Sequence, residues 1–273
     1  MSAAFTAVVI GIGNELLNGR TANTNAQWLC GEIYSLGGSV KRVLTVPDDL
    51  KEIKGALHET ILGDARWIVT TGGLGPTYDD ITLQGVAAAL GRELVEDQKA
   101  KEMIMDRLKE YQKSGRVVSL DYTPERAKMA IIPVGSKPLA NSAGTAPGVL
   151  VEVNGKFVAC LPGVPSEMKA IFREHLAPLM AKGRLKTVTV DTDIRGLPEA
   201  SLAPTLASLA EDYPLVYVKS HPQGFEKVSR VLVQLTGRGE SGLRDVESAR
   251  RKLASVLGGL KAEYEMTTRQ DNQ

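Results

Sequence analysis

Trp67-Ile68-Val69-Thr70-Thr71-Gly72-Gly73-Leu74-Gly75-Pro76-Thr77-Tyr78-Asp79-Asp80 is the stretch whose reading decides the fold. Its opening, Trp67 to Thr71, is apolar and β-branched, as a strand covered on both faces should be. Glycines at 72, 73 and 75 let main-chain N–H groups approach an anion, and a helix beginning shortly afterwards adds a favourable dipole. The stretch therefore predicts a buried strand, a phosphate-cradling loop and a helix over Ile81 to Leu90. The blander alternative is that the glycines only permit a tight strand-to-helix turn.

Working upstream, Ala7 to Ile12 is a second short apolar run ending in glycine, and Leu29, Ile33 and Leu36 after Asn23-Thr24-Asn25 mark one face of a helix stopped by Gly37-Gly38. Ser39 to Val46 reads as a strand. Pro47-Asp48-Asp49 supplies a turn and a cap before a helix striped by Leu50, Ile53, Leu57 and Ile61. Strand, helix, strand, helix, strand at this spacing implies parallel pairing through right-handed crossovers. Downstream, Gln98 to Lys113 reads as a helix and Ser114 to Pro124 as a loop. Val149 to Val153 and Lys156 to Leu161, joined by Asn154-Gly155, read as a hairpin. Pro165 opens a helix carrying Met168, Ile171, Phe172, Leu176 and Leu179.

The fold class expected is α/β, a three-layer α/β/α sandwich with a mostly parallel sheet, over residues 1–182. Ala181 to Arg184 then reads as a linker, and residues 183–268 as a small α+β module of βαββα pattern: Leu185 to Ile194, Glu199 to Glu211, Leu215 to Ser220, Ser229 to Leu235 and Ser241 to Leu257. Residues 269–273 read as a disordered tail. A chain of 273 residues has room for two such modules.

Composition narrows the function. A formal net charge of +1 argues against nucleic acid and acidic membrane surfaces, leaving a small molecule as the expected partner. Cys30 and Cys160 sit among apolar neighbours without metal-type spacing and read as reduced core residues. No basic n-region opens the chain and no apolar run approaches a bilayer span, so the expected location is the cytoplasm. His58, His175 and His221 have no partners at metal-ligand spacing, and the Walker, nucleophile-elbow and dinucleotide fingerprints are missing.

In an open parallel sheet, ligands bind beyond the carboxyl ends of the strands. Three glycine-bearing turns map there: Gly11 to Leu17, Thr71 to Asp80, and Leu161 to Glu167. A small-residue loop, Asn141 to Gly148, either lines the same pocket or merely connects into the hairpin. Asp79 and Asp80 either cap the following helix or hold a hard cation that bridges phosphate oxygens. Glu15 is a second candidate for that role. Glu167 suits the first turn of its helix whatever the function, and Arg126 and Lys128 can offer charge to a phosphate.

Gly13-Asn14-Glu15-Leu16-Leu17, Asn23-Thr24-Asn25-Ala26, Thr70 to Thr82, Gly144-Thr145-Ala146-Pro147-Gly148 and Leu161 to Met168 occur in an order and spacing that resemble the CinA family. The resemblance spans about residues 5–180 and implies the molybdopterin-binding fold of MogA, MoaB and MoeA. It also implies metal-dependent hydrolysis of ADP-ribose to AMP and ribose 5-phosphate, and a homodimer. The further deamidase domain of many bacterial members is not expected here.

On that basis Asp80 and Glu15 are the catalytic candidates, and Asp79, Asp80 and Glu15 the expected ligands of Mg²⁺, Mn²⁺ or Co²⁺. Thr71, Gly72, Gly73, Gly75, Asn25, Gly144, Thr145, Pro162, Gly163, Ser166 and Glu167 are the expected ligand-binding residues. Asn14 stands where the family commonly has aspartate, and an amide cannot supply a carboxylate's charge, so the burden would pass to Glu15, Asp79 and Asp80. Two other functions remain open: binding or adenylylating a pterin phosphate in molybdenum cofactor assembly, and, because of Asn14, non-catalytic nucleotide sensing.

Overall fold

The computed structural model describes residues 5–115, 119–181, 186–226 and 228–270. The chain divides into two compact units, Phe5–Lys182 and Gly183–Gln273.

In the first unit the elements run β1 (Thr6–Ile12), α1 (Asn14–Leu17), α2 (Thr24–Ser35), β2 (Ser39–Val46), α3 (Leu50–Leu62), β3 (Trp67–Thr71), α4 (Thr82–Leu90), β4 (Leu94–Glu96), α5 (Gln98–Lys113), α6 (Pro124–Lys128), β5 (Ile131–Pro133), β6 (Lys137–Leu139), β7 (Gly148–Val153), β8 (Lys156–Leu161), α7 (Pro165–Ile171), a π-helical turn (Phe172–Leu176) and α8 (Ala177–Met180). The central sheet has the order β2-β1-β3-β8-β7-β6. Strands β2, β1, β3 and β8 are parallel. β7 runs antiparallel to β8, and β6 antiparallel to β7.

Alternate residues of the same strands feed two cores. Ala7, Val9 and Val69 pack with Leu29 and Ile33 of α2 and Met168 and Ile171 of α7 on one face. Val8, Ile10 and Ile68 pack with Ile53 and Leu57 of α3 and Val86 of α4 on the other. Three layers result, because a parallel strand with two apolar faces needs helices on both. The hairpin turn is as the sequence indicates, with Asn154 and Gly155 at φ 50° and 74°, the backbone that an Asn-Gly pair tolerates best. Asp49 caps α3, accepting from Lys51 N at 2.9 Å and Glu52 N at 3.0 Å. The helix expected from Pro165 to Leu179 is interrupted instead by the π-helical turn.

Burial makes a chemical statement about β8. Cys160 there is fully buried, which pushes its thiol up to about 12, and burial also raises Cys30 on α2. Only a thiolate attacks a disulfide reagent at a useful rate. In native protein at pH 8, Cys160 should therefore resist a chromogenic disulfide reagent and react only as fast as the domain unfolds. Prompt titration of both thiols would take β8 out of the interior.

The second unit comprises β9 (Thr187–Arg195), α9 (Glu199–Asp212), β10 (Val216–Glu226), β11 (Val228–Arg238), α10 (Gly239–Gly259) and β12 (Glu263–Gln270). Its sheet has the order β10-β11-β9-β12 and is antiparallel throughout. Val190, Ile194, Val233 and Leu235 pack with Leu202 and Leu209 of α9 and Leu253 and Leu257 of α10. This is the split βαβ arrangement, closed by a last strand that the βαββα reading lacks.

That strand also corrects the tail. Arg269 and Gln270, expected to be disordered, pair with Thr189 and Val188 in the ladder, and Arg269 forms an ion pair with Asp191. Residues 271–273 lie outside the described residues, as do 182–184 of the expected linker and residue 185 at the start of the strand expected after it. Among the described residues no helix is long and apolar enough to cross a membrane.

Candidate functional site

The ends of β1, β3 and β8 lie side by side, since their registers match Gly11 with Thr71 and Thr71 with Leu161. Because β7 is antiparallel, the loop that enters it, Asn141 to Pro147, reaches the same edge. These turns, Asp48 ahead of α3, and residues of α5 and α6 enclose a cavity of about 930 Å³, lined by Ile12, Gly13, Glu15, Asp48, the chain from Gly72 to Thr77, Asp79, Asp80, Leu108, Tyr111, Thr123, Glu125, Arg126, Met129, Thr145, Ala146, Pro162, Gly163, Val164 and Glu167. That volume is in the range of small-molecule sites. The strand order turns back beside β1, so the position is the one that the topology favours.

The glycines are there for geometry. Gly72 has φ 113°, and a Cβ on it would drive into the carbonyl oxygen of Ile12; Gly73 has φ 66°, and its Cβ would drive into Thr82 Oγ1. Gly72 N donates to Leu161 O at 3.0 Å, and Thr82 Oγ1 donates to Gly72 O at 2.8 Å. The Gly72 amide is thus spent on the sheet, although Gly72 itself lines the cavity. Among the described residues no acceptor takes the amides of Gly73, Leu74, Gly75, Gly163 or Val164. These donors belong to residues that line the cavity.

Two asparagines hold the turns in place. Asn25 Nδ2 donates to Thr71 Oγ1 at 2.9 Å and to Gly163 O at 2.8 Å, while Thr71 Oγ1 donates to Pro162 O at 3.0 Å. Asn25 and Thr71 therefore tie the β3 and β8 loops together beneath the cavity and line a smaller neighbouring hollow of about 130 Å³. Asn141, buried, donates to Ala146 O at 2.8 Å and Glu167 Oε2 at 2.7 Å and accepts from Ala143 N at 3.1 Å and Gly144 N at 2.8 Å. Gly144 leaves room for the Glu167 carboxylate, which a Cβ there would displace. Ser166 is exposed and outside the lining.

Carboxylates dominate the walls: Glu15, Asp48, Asp79, Asp80, Glu125 and Glu167 face the cavity against Arg126 as the basic side chain in the lining. Neither Asp79 nor Asp80 caps α4, whose N-cap is Ile81 with no side-chain bond. They fold the preceding turn. Thr77 N donates to Asp80 Oδ2 at 2.8 Å, and Thr77 Oγ1 lies 2.5 Å from Asp79 Oδ1 and 2.6 Å from Asp80 Oδ2, so its single hydrogen serves one of them at a time. The Thr77 hydroxyl, with the backbone and Lys128, holds the Asp79 carboxyl below the usual range. Asp80 Oδ1 has no protein partner among the described residues. Glu15 lies over Gly13, and Asp48 Oδ2 accepts from Asn14 N at 2.9 Å.

Asp48, Leu108, Tyr111 and Met129 also line the cavity and escaped the sequence reading as site residues. Asp48 looked like part of a turn, and only the β2–β1–β3 order brings it to the cavity. Asn141 stood at the head of the small-residue loop already singled out, but its bond to Glu167 on α7 joins residues too far apart in sequence to be read from the chain. Among the described residues no three His, Cys, Asp or Glu side chains gather closely enough to hold an ion by themselves.

The family model described as probable molybdopterin binding domain matches residues 8–182. A protein of Aeropyrum pernix is 45% identical over 269 residues, covering 94% of this chain and 97% of that protein. Protein TV0584 of Thermoplasma volcanium is 38% identical over 257 residues, covering 94% of each. Among solved structures, the protein CinA from Thermoplasma acidophilum is 42% identical with a TM-score of 0.57, covering 65% of this chain and 99% of that one.

Proposed function

Since the chain belongs to the CinA family, within the probable molybdopterin binding domain family, we propose that its cavity binds the diphosphate of a nucleotide such as ADP-ribose and hydrolyses it to AMP and ribose 5-phosphate. One observation carries this reading: unclaimed amides at Gly73, Leu74 and Gly75 share a cavity with carboxylates whose outer oxygens are unspent. The amides suit phosphate oxygens. The carboxylates do not, unless a cation comes between.

The donor set fits a divalent cation that arrives with its substrate. Hard cations such as Mg²⁺ are commonly held by one or two carboxylates together with substrate phosphates, so a preformed three-carboxylate cage is not required. Asp80, with Asp79 or Glu15, would hold it, and it would supply charge neutralisation at the phosphate oxygens. The protein's own part is positioning. The Gly73–Gly75 and Gly163–Val164 amides grip the diphosphate, Asn25 and Asn141 keep those turns rigid, and Glu15 takes a proton from the attacking water as the phosphorus–oxygen bond to the leaving phosphate breaks.

Purified protein supplied with Mg²⁺, Mn²⁺ or Co²⁺ should release AMP and ribose 5-phosphate from ADP-ribose, identified by mass, and excess EDTA should suppress release at least about 100-fold. No product with any of the three ions sinks the reading. The family description favours a second one, in which the cavity binds or adenylylates a molybdopterin phosphate. Calorimetric affinity for molybdopterin well above that for ADP-ribose, without ADP-ribose turnover, would establish it instead.

A further inference from the structure

The acidic turn in the cavity wall has little to hold it. Pro76 to Asp79 are exposed, Tyr78 by 92%, and none of them belongs to an apolar cluster of this unit. Its own bonds close a small ring: Asp80 N donates to Thr77 O at 3.2 Å, and Thr77 N donates to Asp80 Oδ2 at 2.8 Å. Bonds internal to a turn fix its shape but not its direction. Something outside it must settle which way the carboxylates point.

One bond does reach it from elsewhere. Lys128 Nζ, on α6, donates to Thr77 O, the carbonyl that already closes the ring. Among the described residues no other hydrogen bond or ion pair enters residues 76–80 from outside them. Lys128 stands behind the loop: it is outside the lining of the main cavity and lines instead a hollow of about 40 Å³ with Leu83, Leu94 and Ile131. Gly73, Leu74, Gly75 and Asp80 line both spaces, so the loop is a partition with the ligand on one face and the lysine on the other.

We propose that Lys128 is a positioning residue: by fastening the Thr77 carbonyl it keeps the Asp79 and Asp80 carboxylates turned towards the cavity, where Asp80 holds the cation. The inference rests on the reading that a cation is bound there together with a diphosphate. It gives Lys128 a task different from the phosphate contact that its charge suggests, because a residue that orients a metal ligand acts on the metal through that ligand.

The test pairs a dynamic readout with a kinetic one on the full chain. Relaxation of ¹⁵N should give the Thr77, Tyr78, Asp79 and Asp80 amides order parameters near about 0.85 in the parent and below about 0.6 in Lys128→Met. Lys128→Met should also raise the Mg²⁺ concentration for half-maximal ADP-ribose hydrolysis about tenfold, while KM for ADP-ribose at saturating Mg²⁺ changes less than about twofold. Lys128→Arg, which keeps a cationic donor on a long stem, should stay near the parent in both. Methionine retains the apolar stem of the lysine, so the fold should survive; if it does not, Lys128→Gln replaces it in both measurements.

Unchanged order parameters in Lys128→Met overturn the proposal. So does a raised KM for ADP-ribose with the Mg²⁺ requirement unmoved, which would make Lys128 a phosphate contact after all. Should the parent hydrolyse no ADP-ribose with Mg²⁺, Mn²⁺ or Co²⁺, the proposed function falls, and the order parameters alone decide whether Lys128 holds the turn.

Discussion

Gly72→Ala is expected to lower the melting temperature by roughly 6–12 °C, or to leave little folded protein, from a loss of about 3 kcal/mol. The obstacle is main chain rather than a movable side chain: the new methyl would meet the carbonyl of Ile12, at a φ of 113° that alanine adopts only under strain. Relief would require β1 and β3 to part at the edge where Gly72 N bonds Leu161 O and Thr82 Oγ1 bonds Gly72 O. Gly31→Ala is the matched control. Gly31 sits within α2, where an added Cβ meets nothing within 4 Å, so alanine there should stabilise by about 0.5–1 kcal/mol. Calorimetric scans of both variants decide the matter, and a Gly72→Ala protein melting within a degree or two of the parent would refute this account of the loop.

Asp80→Asn should reduce kcat/KM for ADP-ribose about 100-fold or more while changing the melting temperature little. Asparagine keeps an oxygen for Thr77 N and Thr77 Oγ1, so the turn survives and only the charge is removed. One hundredfold corresponds to about 2.7 kcal/mol of transition-state stabilisation, within the reach of a single preorganised charge in a phosphoryl-transfer site. Asp80→Ala should differ, because it also strips Thr77 of its acceptor and so costs stability as well as rate. Unchanged turnover in a folded Asp80→Asn protein would confine Asp80 to shaping the turn.

Much of the parallel frame could be read from the chain, because a buried parallel strand is apolar on both faces and its crossover helices carry a stripe of matching period. Ser39–Val46 and Trp67–Thr71 begin and end where the pattern places them. Strands of three residues such as Leu94–Glu96 and Lys137–Leu139 are too short to show a period. Glu263–Gln270 hid for another reason: it is an edge strand whose apolar signal comes down to Tyr264 and Met266. Its place is set by cross-strand partners on β9.

The site was legible to the same uneven degree. Glycine spacing announces where backbone comes close, so the turns at Gly72–Gly75 and Pro162–Gly163 stood out. Which polar residue faces the ligand and which braces a turn depends on contacts 46 to 138 residues apart in the case of Asn25. Asn25 therefore looked like a ligand contact and is bonded as a brace, whereas Asp48 looked like a brace and lines the cavity.

The hairpin of β7 and β8 has a practical corollary. Its turn, Asn154-Gly155, sits at the opposite margin of the sheet from the cavity, because both strands run their full length between the two. A cysteine or peptide handle inserted there gives a point for tethering the molecule to a sensor surface with its opening turned towards solution.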